Sequence, residues 1–469
     1  MLMKNILYLK EVNMLLPLFL SFIIALSFPI DPLFTSNQNI YLLKGIAETE
    51  NSSLVYDWMA NQTDPFPLFT WLTSASFKIS PVLLYIYHIV LSIILIFSLY
   101  LSSQKILNTT YNSVSTVFFF LLLFLASNFF EVLNGVAGQY ILGSYFQPST
   151  FGVFLILSIT LFCFEKYYLA IIFLLIPSYF HPTYIIQAAF LTLTYQVVIF
   201  KKNEIILALL IGIFALIAIM PLVYFLYITF ESLPLDTLKI SKEILAYERM
   251  SHHTLYSSWI FRNHTLLGFV LLSSAIIIFR DNKNLLYLLI IPFTLSSIFV
   301  IYANLAENTT MLLLFGQRVS VWLMPLAACL MLARLVYSIE WHKLFNLSQQ
   351  LLLFLGIFSS LVFAYFGINK TIKFHNVKST NQLHSFLSSL EYANGILLVP
   401  LNRENIRLNA KVPIFIDWKS HPYRANEVIE WRERISLVSS FYDPHSTDKQ
   451  RIQTFNQIDS RQSISFIIT

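Results

Sequence analysis

From Val12 to Ile368 the chain is a succession of long apolar runs separated by short polar breaks, a pattern that few folds can accommodate. A run of about 20 apolar residues is the length of a helix that crosses a bilayer. Backbone in lipid must satisfy its own hydrogen bonds, which leaves helices and closed barrels. The runs lack the in-out alternation of barrel strands, so they read as helices. Of the 469 residues, 57% are hydrophobic and 12% charged, against about 25% charged in a soluble globule, and the mean hydropathy is +0.67. An ordinary soluble fold is excluded. The net charge of +5 is to be read by position rather than as the mark of a nucleic-acid partner.

The first run, Val12 to Ile30, ends at Phe28-Pro29-Ile30-Asp31 with no small-x-small cleavage site, so it reads as an uncleaved first span. Further spans are expected over Pro81 to Ser102, Val114 to Phe130 and Thr150 to Phe164. Tyr167 to Phe200 holds two, divided at Ser178-Tyr179-Phe180-His181-Pro182-Thr183, where proline breaks the helix. Ile205 to Ile228, Thr265 to Phe279, Leu285 to Tyr302, Met311 to Leu335 and Leu351 to Ile368 complete about eleven. Lys4, Lys10, Lys105, Lys166, Lys201, Lys202, Arg280, Lys283, Arg334 and Lys343 all fall on one side of this layout. Basic residues stay cytoplasmic. The amino terminus is therefore expected in the cytoplasm of a multi-pass plasma (inner) membrane protein, with loops 30–80 and 229–263 and the segment 369–469 outside. Cys163 and Cys329 lie inside apolar spans with no means of pairing.

The fold class expected is thus an all-α polytopic membrane protein, residues 1–368, followed by a small extracytoplasmic α/β domain, residues 369–469. In that domain Gly395 to Pro400 and Val412 to Asp417 read as buried strands and Ala425 to Leu437 as a helix. The last residues, Ser465 to Thr469, read as a final strand or as the edge of a longer sequence.

Polar groups converge in few places. The loop after the first span carries Asp31, then Ser36-Asn37-Gln38-Asn39, then Tyr56-Asp57-Trp58. A carboxylate between aromatics suits sugar recognition, because sugar faces stack on rings and a carboxylate takes a hydroxyl proton. Asp31 and Asp57 are the candidate bases, and Gln38 and Trp58 candidate substrate contacts. Glu248-Arg249-Met250-Ser251-His252-His253 places Arg249, His252 and His253 where a phosphate could be held or a proton moved. Adjacent histidines on a helix diverge by about 100 degrees and cannot readily share one metal. No metal-ligand set is named, although a divalent cation stays open. His181 and Arg318 sit at membrane boundaries, where ionisable groups are costly and mark function. Arginine is suited to bidentate capture of a phosphate. Glu131 and Gln139 are weaker candidates for the same cavity. In the carboxy-terminal segment Asp417, Lys419 and Arg434, close to Trp418 and Trp431, read as a binding edge.

An amino-terminal span leading into a large outer loop that opens with Asp31, an amphipathic stretch from Ser36 to Ala47, about a dozen spans and a carboxy-terminal outer domain together resemble the GT-C superfamily of membrane glycosyltransferases. Gln38-Asn39 stands where many members carry acids or a histidine, and the loop has no Asp-x-Asp. The resemblance implies transfer of a sugar from a polyprenyl-phosphate-linked donor on the outer face, with an acid of the first outer loop as base and membrane lipid as the donor's carrier. A secondary transporter, or a non-catalytic membrane protein of envelope assembly, is the alternative from another class. Nothing resembles a nucleotide-binding loop or a nucleic-acid surface, and the sequence carries no sign of oligomeric state.

Overall fold

A computed structural model describes residues 14–49, 52–109, 112–230, 233–379, 382–390 and 395–469, with the backbone alone at 377–379. Lys4 and Lys10 lie outside these. Among the described residues seven helices are long and apolar enough to cross a membrane. They include α3 (Val82–Leu107), α4 (Ser113–Phe130), α7 (Ile185–Lys201), α8 (Ile205–Thr229), α11 (Lys283–Leu305), α12 (Ser320–Ser338) and α13 (Gln349–Ser379). Four shorter apolar helices accompany them: α1 (Leu15–Ser27), α5 (Val153–Cys163), α6 (Tyr167–Phe180) and α10 (Asn263–Ile278). The chain is a helical membrane protein by this measure.

Helix α12 is the hub. Val321, Trp322, Leu326, Ala327, Cys329, Leu330 and Ala333 are all buried, against α10, α4 and α3. Helix α8 is the opposite case. Ile206, Leu209, Leu216, Ile217, Met220 and Tyr224 are exposed, a surface that lipid can cover and water cannot. Hydroxyls inside the bundle pair with one another: Ser102 with Thr160 at 2.6 Å, Tyr100 with Thr116 at 3.1 Å and Ser158 with Tyr195 at 3.0 Å. Such pairing is needed where no water is available.

The two ends of the bundle differ. At one, Lys202 bonds Glu165 at 2.9 Å and Asn282 reaches the Ile106 carbonyl at 3.2 Å, so the basic turns after α3, α5, α7 and α10 meet. Helix α6 runs from there to the other end, about 21 Å away, where it stops. The His181 N–H closes onto the Pro177 carbonyl at 2.8 Å, Pro182–Tyr184 forms one tight turn and α7 begins at Ile185. The break expected at Pro182 is present.

The polar loops gather at this second end. In the first, short helices Gln38–Tyr41 and Leu43–Ala47 precede α2 (Pro67–Ile79). Gly45 is required there, since a Cβ would stand 2.7 Å from Thr73 Cβ and 2.8 Å from the Thr70 carbonyl. The second polar loop forms α9 (Leu235–Glu243), a π-helical turn at Ile244–Arg249 and a short helix at Ser251–Thr254. Such π turns are frequent at functional sites.

Residues 395–469 build a small α/β layer. Strand β1 (Ile396–Leu398) pairs in parallel with β2 (Ile464–Ile467), in register Ile396 to Ile464, with α14 (Asn405–Ala410), α15 (Ala425–Tyr442) and α16 (Asp448–Arg461) around them. Ile396, Leu398, Phe415, Val428 and Trp431 share a core with Ile244 and Leu245 of the second loop and with Trp58 of the first. The expected strand at Val412–Asp417 reduces to a single bridge from Ile414 to Leu397. Helix α13 runs unbroken past position 369 to Ser379.

Candidate functional site

Where the two loops meet the carboxy-terminal layer, three side chains form a fully buried ion cluster. Arg407, Asp57 and Asp417 are each 0% exposed. Arg407 Nε donates to Asp57 Oδ2 at 2.8 Å, and Arg407 Nη1 to Asp417 Oδ2 at 2.5 Å and Ser420 Oγ at 3.0 Å. Asp57 also accepts from the N–H groups of Met59 at 2.9 Å, Ala60 at 3.4 Å and Ile414 at 3.0 Å. Its oxygens are occupied and closed to solvent, so the base expected at Asp57 is corrected: this carboxylate is a latch between the first loop and the carboxy-terminal layer. Asp417 is part of the same latch rather than of an open binding edge, its Oδ1 accepting from the Ser420 N–H at 2.6 Å. Arg434, expected at a binding edge, stacks over Trp58 at 4.5 Å and Phe415 at 4.7 Å, so Arg434 and Trp58 engage each other. Gln38 is likewise a strut, donating to the Phe146 carbonyl at 2.9 Å.

Beside the latch rings and cations gather, and this cluster is the chamber. Arg318, in the turn that starts α12, donates to Thr183 Oγ1, and the same oxygen stands 2.9 Å from His181 Nδ1. Arginine only donates, so Thr183 accepts from it and has its own proton for the imidazole. The Arg318 guanidinium lies over the Tyr184 ring at 5.4 Å. Phe66 joins the wall, 5.0 Å from His181 and 5.4 Å from Tyr423. Tyr423 hydrogen-bonds Tyr41. Burial raises the pKa of both phenols, while the charges of Arg318 and Arg249 draw them down. Both cations therefore act on one tyrosine pair, and both phenols stay protonated donors.

Arg249 enters from the second loop, with Nη2 2.8 Å from the Lys419 carbonyl and Nε buried without a partner. His253 Nδ1 meets the Ala137 carbonyl at 2.7 Å. Its pKa falls to about 3, first through burial and then through His252, and His252, more exposed, is also lowered, first by burial and then by Arg249. The histidines are neutral at neutral pH, so Arg249, Arg318 and Lys419 carry the charge. Among the described residues no carboxylate lies within ion-pair distance of any of the three. Sequence reasoning brought together His181 with Arg318 and His253 with Arg249. It missed Tyr41, Thr183, Arg407, His421 and Tyr423, although the last two lie within the charged stretch Asp417 to Tyr423.

The chamber borders an apolar cavity of about 270 Å³ between α10, α11 and α12, lined by Trp259, Phe269, Phe293, Val300, Leu323 and Met324 among others. Gln317 and Val136 line it too, and they form the wall towards the cations. Gln317 Nε2 donates to the His253 carbonyl at 2.7 Å and is followed by Arg318, while Val136 precedes Ala137.

Asp31 lies by a second cavity, of about 320 Å³, lined by its neighbours Pro29 and Ile30 and by Glu131 and Ser144. Ser144 Oγ donates to Asp31 Oδ2 at 2.5 Å, and the Asp31 N–H donates to the Ser144 carbonyl at 2.7 Å. The next residue, Tyr145, bonds Tyr140 at 3.0 Å and acts on Tyr41 in the chamber wall. Gln139 is 5% exposed with both amide atoms unpartnered. Among the described residues no three His, Cys, Asp or Glu side chains stand close enough to hold a metal ion.

Residues 390–438 match a family described as Domain of unknown function (DUF6798). That segment contains Arg407, Asp417, Lys419, His421 and Tyr423, so two of the three latch residues and one wall of the chamber fall within the matched stretch. No match was found among curated proteins or among solved structures.

Proposed function

We propose that the protein is a membrane glycosyltransferase that takes its sugar from a polyprenyl-phosphate-linked donor. The observation that carries this reading is the apposition of two unlike regions, a cluster of cations that form no ion pair among the described residues and an apolar cavity sharing the Gln317 and Val136 wall. A lipid phosphate is the ligand with both chemistries in one molecule. Its phosphate meets Arg318 in the manner of a charge-assisted pair, and its chain lies among Trp259, Phe269 and Leu323.

In the reaction the acceptor hydroxyl oxygen attacks the anomeric carbon, its proton passes to Asp31, and the bond from that carbon to the lipid phosphate breaks. Negative charge grows on the departing phosphate. Arg318, oriented by Thr183 and His181, is placed to stabilise it in a site that excludes most water. Asp31 is favoured over Asp57 as base because its partner is a single serine at a cavity edge. The loops and the carboxy-terminal layer face the extracytoplasmic side, opposite the end where Lys105, Lys202 and Lys283 gather. The supporting experiment is turnover of polyprenyl-phosphate sugars by purified protein, with Asp31→Asn expected to lower kcat by roughly 100-fold while leaving donor affinity nearly unchanged.

A further inference from the structure

The chamber holds more positive charge than one phosphate needs. Arg318 sits at the α12 end with Thr183 and His181. Arg249 and Lys419 form a second pair of cations, joined by the bond from Arg249 Nη2 to the Lys419 carbonyl. After burial, Arg249 lowers the pKa of Lys419 and both cations lower that of His421, while Asp417 and Glu404 act on the two cations from beyond ion-pair distance. Beside them His421 is 6% exposed, with its ring held to the Lys419 backbone through one nitrogen and the other nitrogen without a partner. Its ring packs 5.0 Å from Tyr423 and 6.4 Å from Trp431, which fixes it in place. Buried polar atoms are normally paired, and an exception calls for a partner that the chain does not supply.

We propose that Arg249, Lys419 and His421 form a second oxyanion site, distinct from Arg318, which takes a phosphate or carboxylate group of a bound substrate. An oxyanion there neutralises the two cations, gives the buried Arg249 Nε an acceptor and receives a hydrogen bond from the imidazole. The carboxy-terminal layer thereby supplies part of the substrate site, through residues inside the stretch 390–438. Two sources have this chemistry: the second phosphate of a diphosphate-linked donor, and an anionic group on the acceptor. The inference rests on the chamber being a substrate site, as proposed above, but needs no transfer to be observed.

The test is calorimetric titration of the full chain in nanodiscs of uncharged lipid with inorganic phosphate, pyrophosphate and methyl glucuronate. Wild type is expected to bind two phosphates per chain. Arg249→Gln and Lys419→Gln each lose one and keep the other, Lys419→Arg keeps both, and Arg318→Gln loses the one that Lys419→Gln retains. Unchanged thermal melting of Lys419→Arg shows that the layer is folded. One pyrophosphate per chain, bound about 100-fold more tightly than phosphate and weakened by variants at either centre, identifies a diphosphate donor. Methyl glucuronate bound in a manner sensitive to Lys419→Gln and indifferent to Arg318→Gln identifies an anionic acceptor. A single phosphate per chain in wild type, or phosphate binding unaltered by Arg249→Gln and Lys419→Gln, overturns the second site. If Arg318→Gln alone abolishes binding, the donor reading stands without it.

Discussion

Asp57 Oδ2 and Arg407 Nε meet at 2.8 Å in complete burial, joining the first polar loop to a helix near the other end of the chain. Taking one partner from a buried pair strands the other charge, at a cost of about 3–5 kcal/mol. Asp57→Asn is therefore expected to lower the thermal stability of the carboxy-terminal layer and to expose residues 395–469 to limited proteolysis. Asp31→Asn, whose bond partner is Ser144, is expected to leave both unchanged. The two aspartates separate cleanly in a pair of melting curves.

Arg318 is the cation nearest the wall shared with the apolar cavity. Arg318→Gln keeps a donor for Thr183 but loses the charge, and loss of a charge-assisted bond to phosphate costs about 1.5–3 kcal/mol. Donor Kd is expected to rise by roughly 10- to 100-fold. Arg318→Lys restores the charge without the planar fork and recovers only part of the affinity. Binding of a fluorescent polyprenyl phosphate reads both.

Ser297 lines the apolar cavity without standing in the cationic chamber. Ser297→Phe fills space that a polyprenyl chain would use. KM for a long-chain donor is expected to rise by about 10- to 200-fold, the 1–3 kcal/mol of a lost apolar contact, with KM for a short water-soluble analogue unaltered. Equal effects on both donors would place the chain elsewhere.

His253 and His421 both have their pKa lowered to about 3, chiefly by burial, whereas an unfolded imidazole titrates near 6.5. Below about pH 6.5 the unfolded chain takes up protons that the native chain refuses, so stability falls as pH falls, by roughly 1.4 kcal/mol per pH unit for each group. Melting temperature is expected to drop between pH 7 and pH 5. His181 and His252 are held below the ordinary value as well, so His421→Gln should remove one group's share of that slope, whatever it does to stability at pH 7.

Orientation has its own test. Both cysteines are free, so a background lacking Cys163 and Cys329 is suited to labelling. Lys343 and Lys449 are exposed. Lys449→Cys is expected to react with an impermeant reagent added to intact cells, and Lys343→Cys only after permeabilisation.

How much of this was legible in the sequence depends on how local the cause is. The break at His181 is written in Pro182, and the apolar runs announce their helices, although Leu15–Ser27 and Tyr167–Phe180 come out shorter than a full crossing length. Val412–Asp417 has the composition of a strand, yet the Ile414 N–H is drawn to Asp57 and Asp417 turns back onto Ser420, so the ladder cannot extend. That competition comes from a residue far away in the chain. The same holds for the site. Arg318 is marked by its own cost at a membrane boundary and Arg249 by the two histidines that follow it, whereas Asp57 reads as a base because its partner Arg407 has no local signature. The Tyr41–Tyr423 pair exists only once the first loop folds onto the carboxy-terminal layer.

The claim on which the rest depends is that the chamber and the apolar cavity together hold a sugar-bearing lipid phosphate. Its most direct test is incubation of the purified full chain with a panel of polyprenyl-phosphate sugars, measuring release of the free lipid phosphate and transfer or hydrolysis of the sugar. The account predicts turnover of at least one donor, reduced roughly 100-fold in Asp31→Asn and impaired in donor binding in Arg318→Gln. Contradiction would be the absence of release with every donor while the same protein, in proteoliposomes, carries a solute across the bilayer.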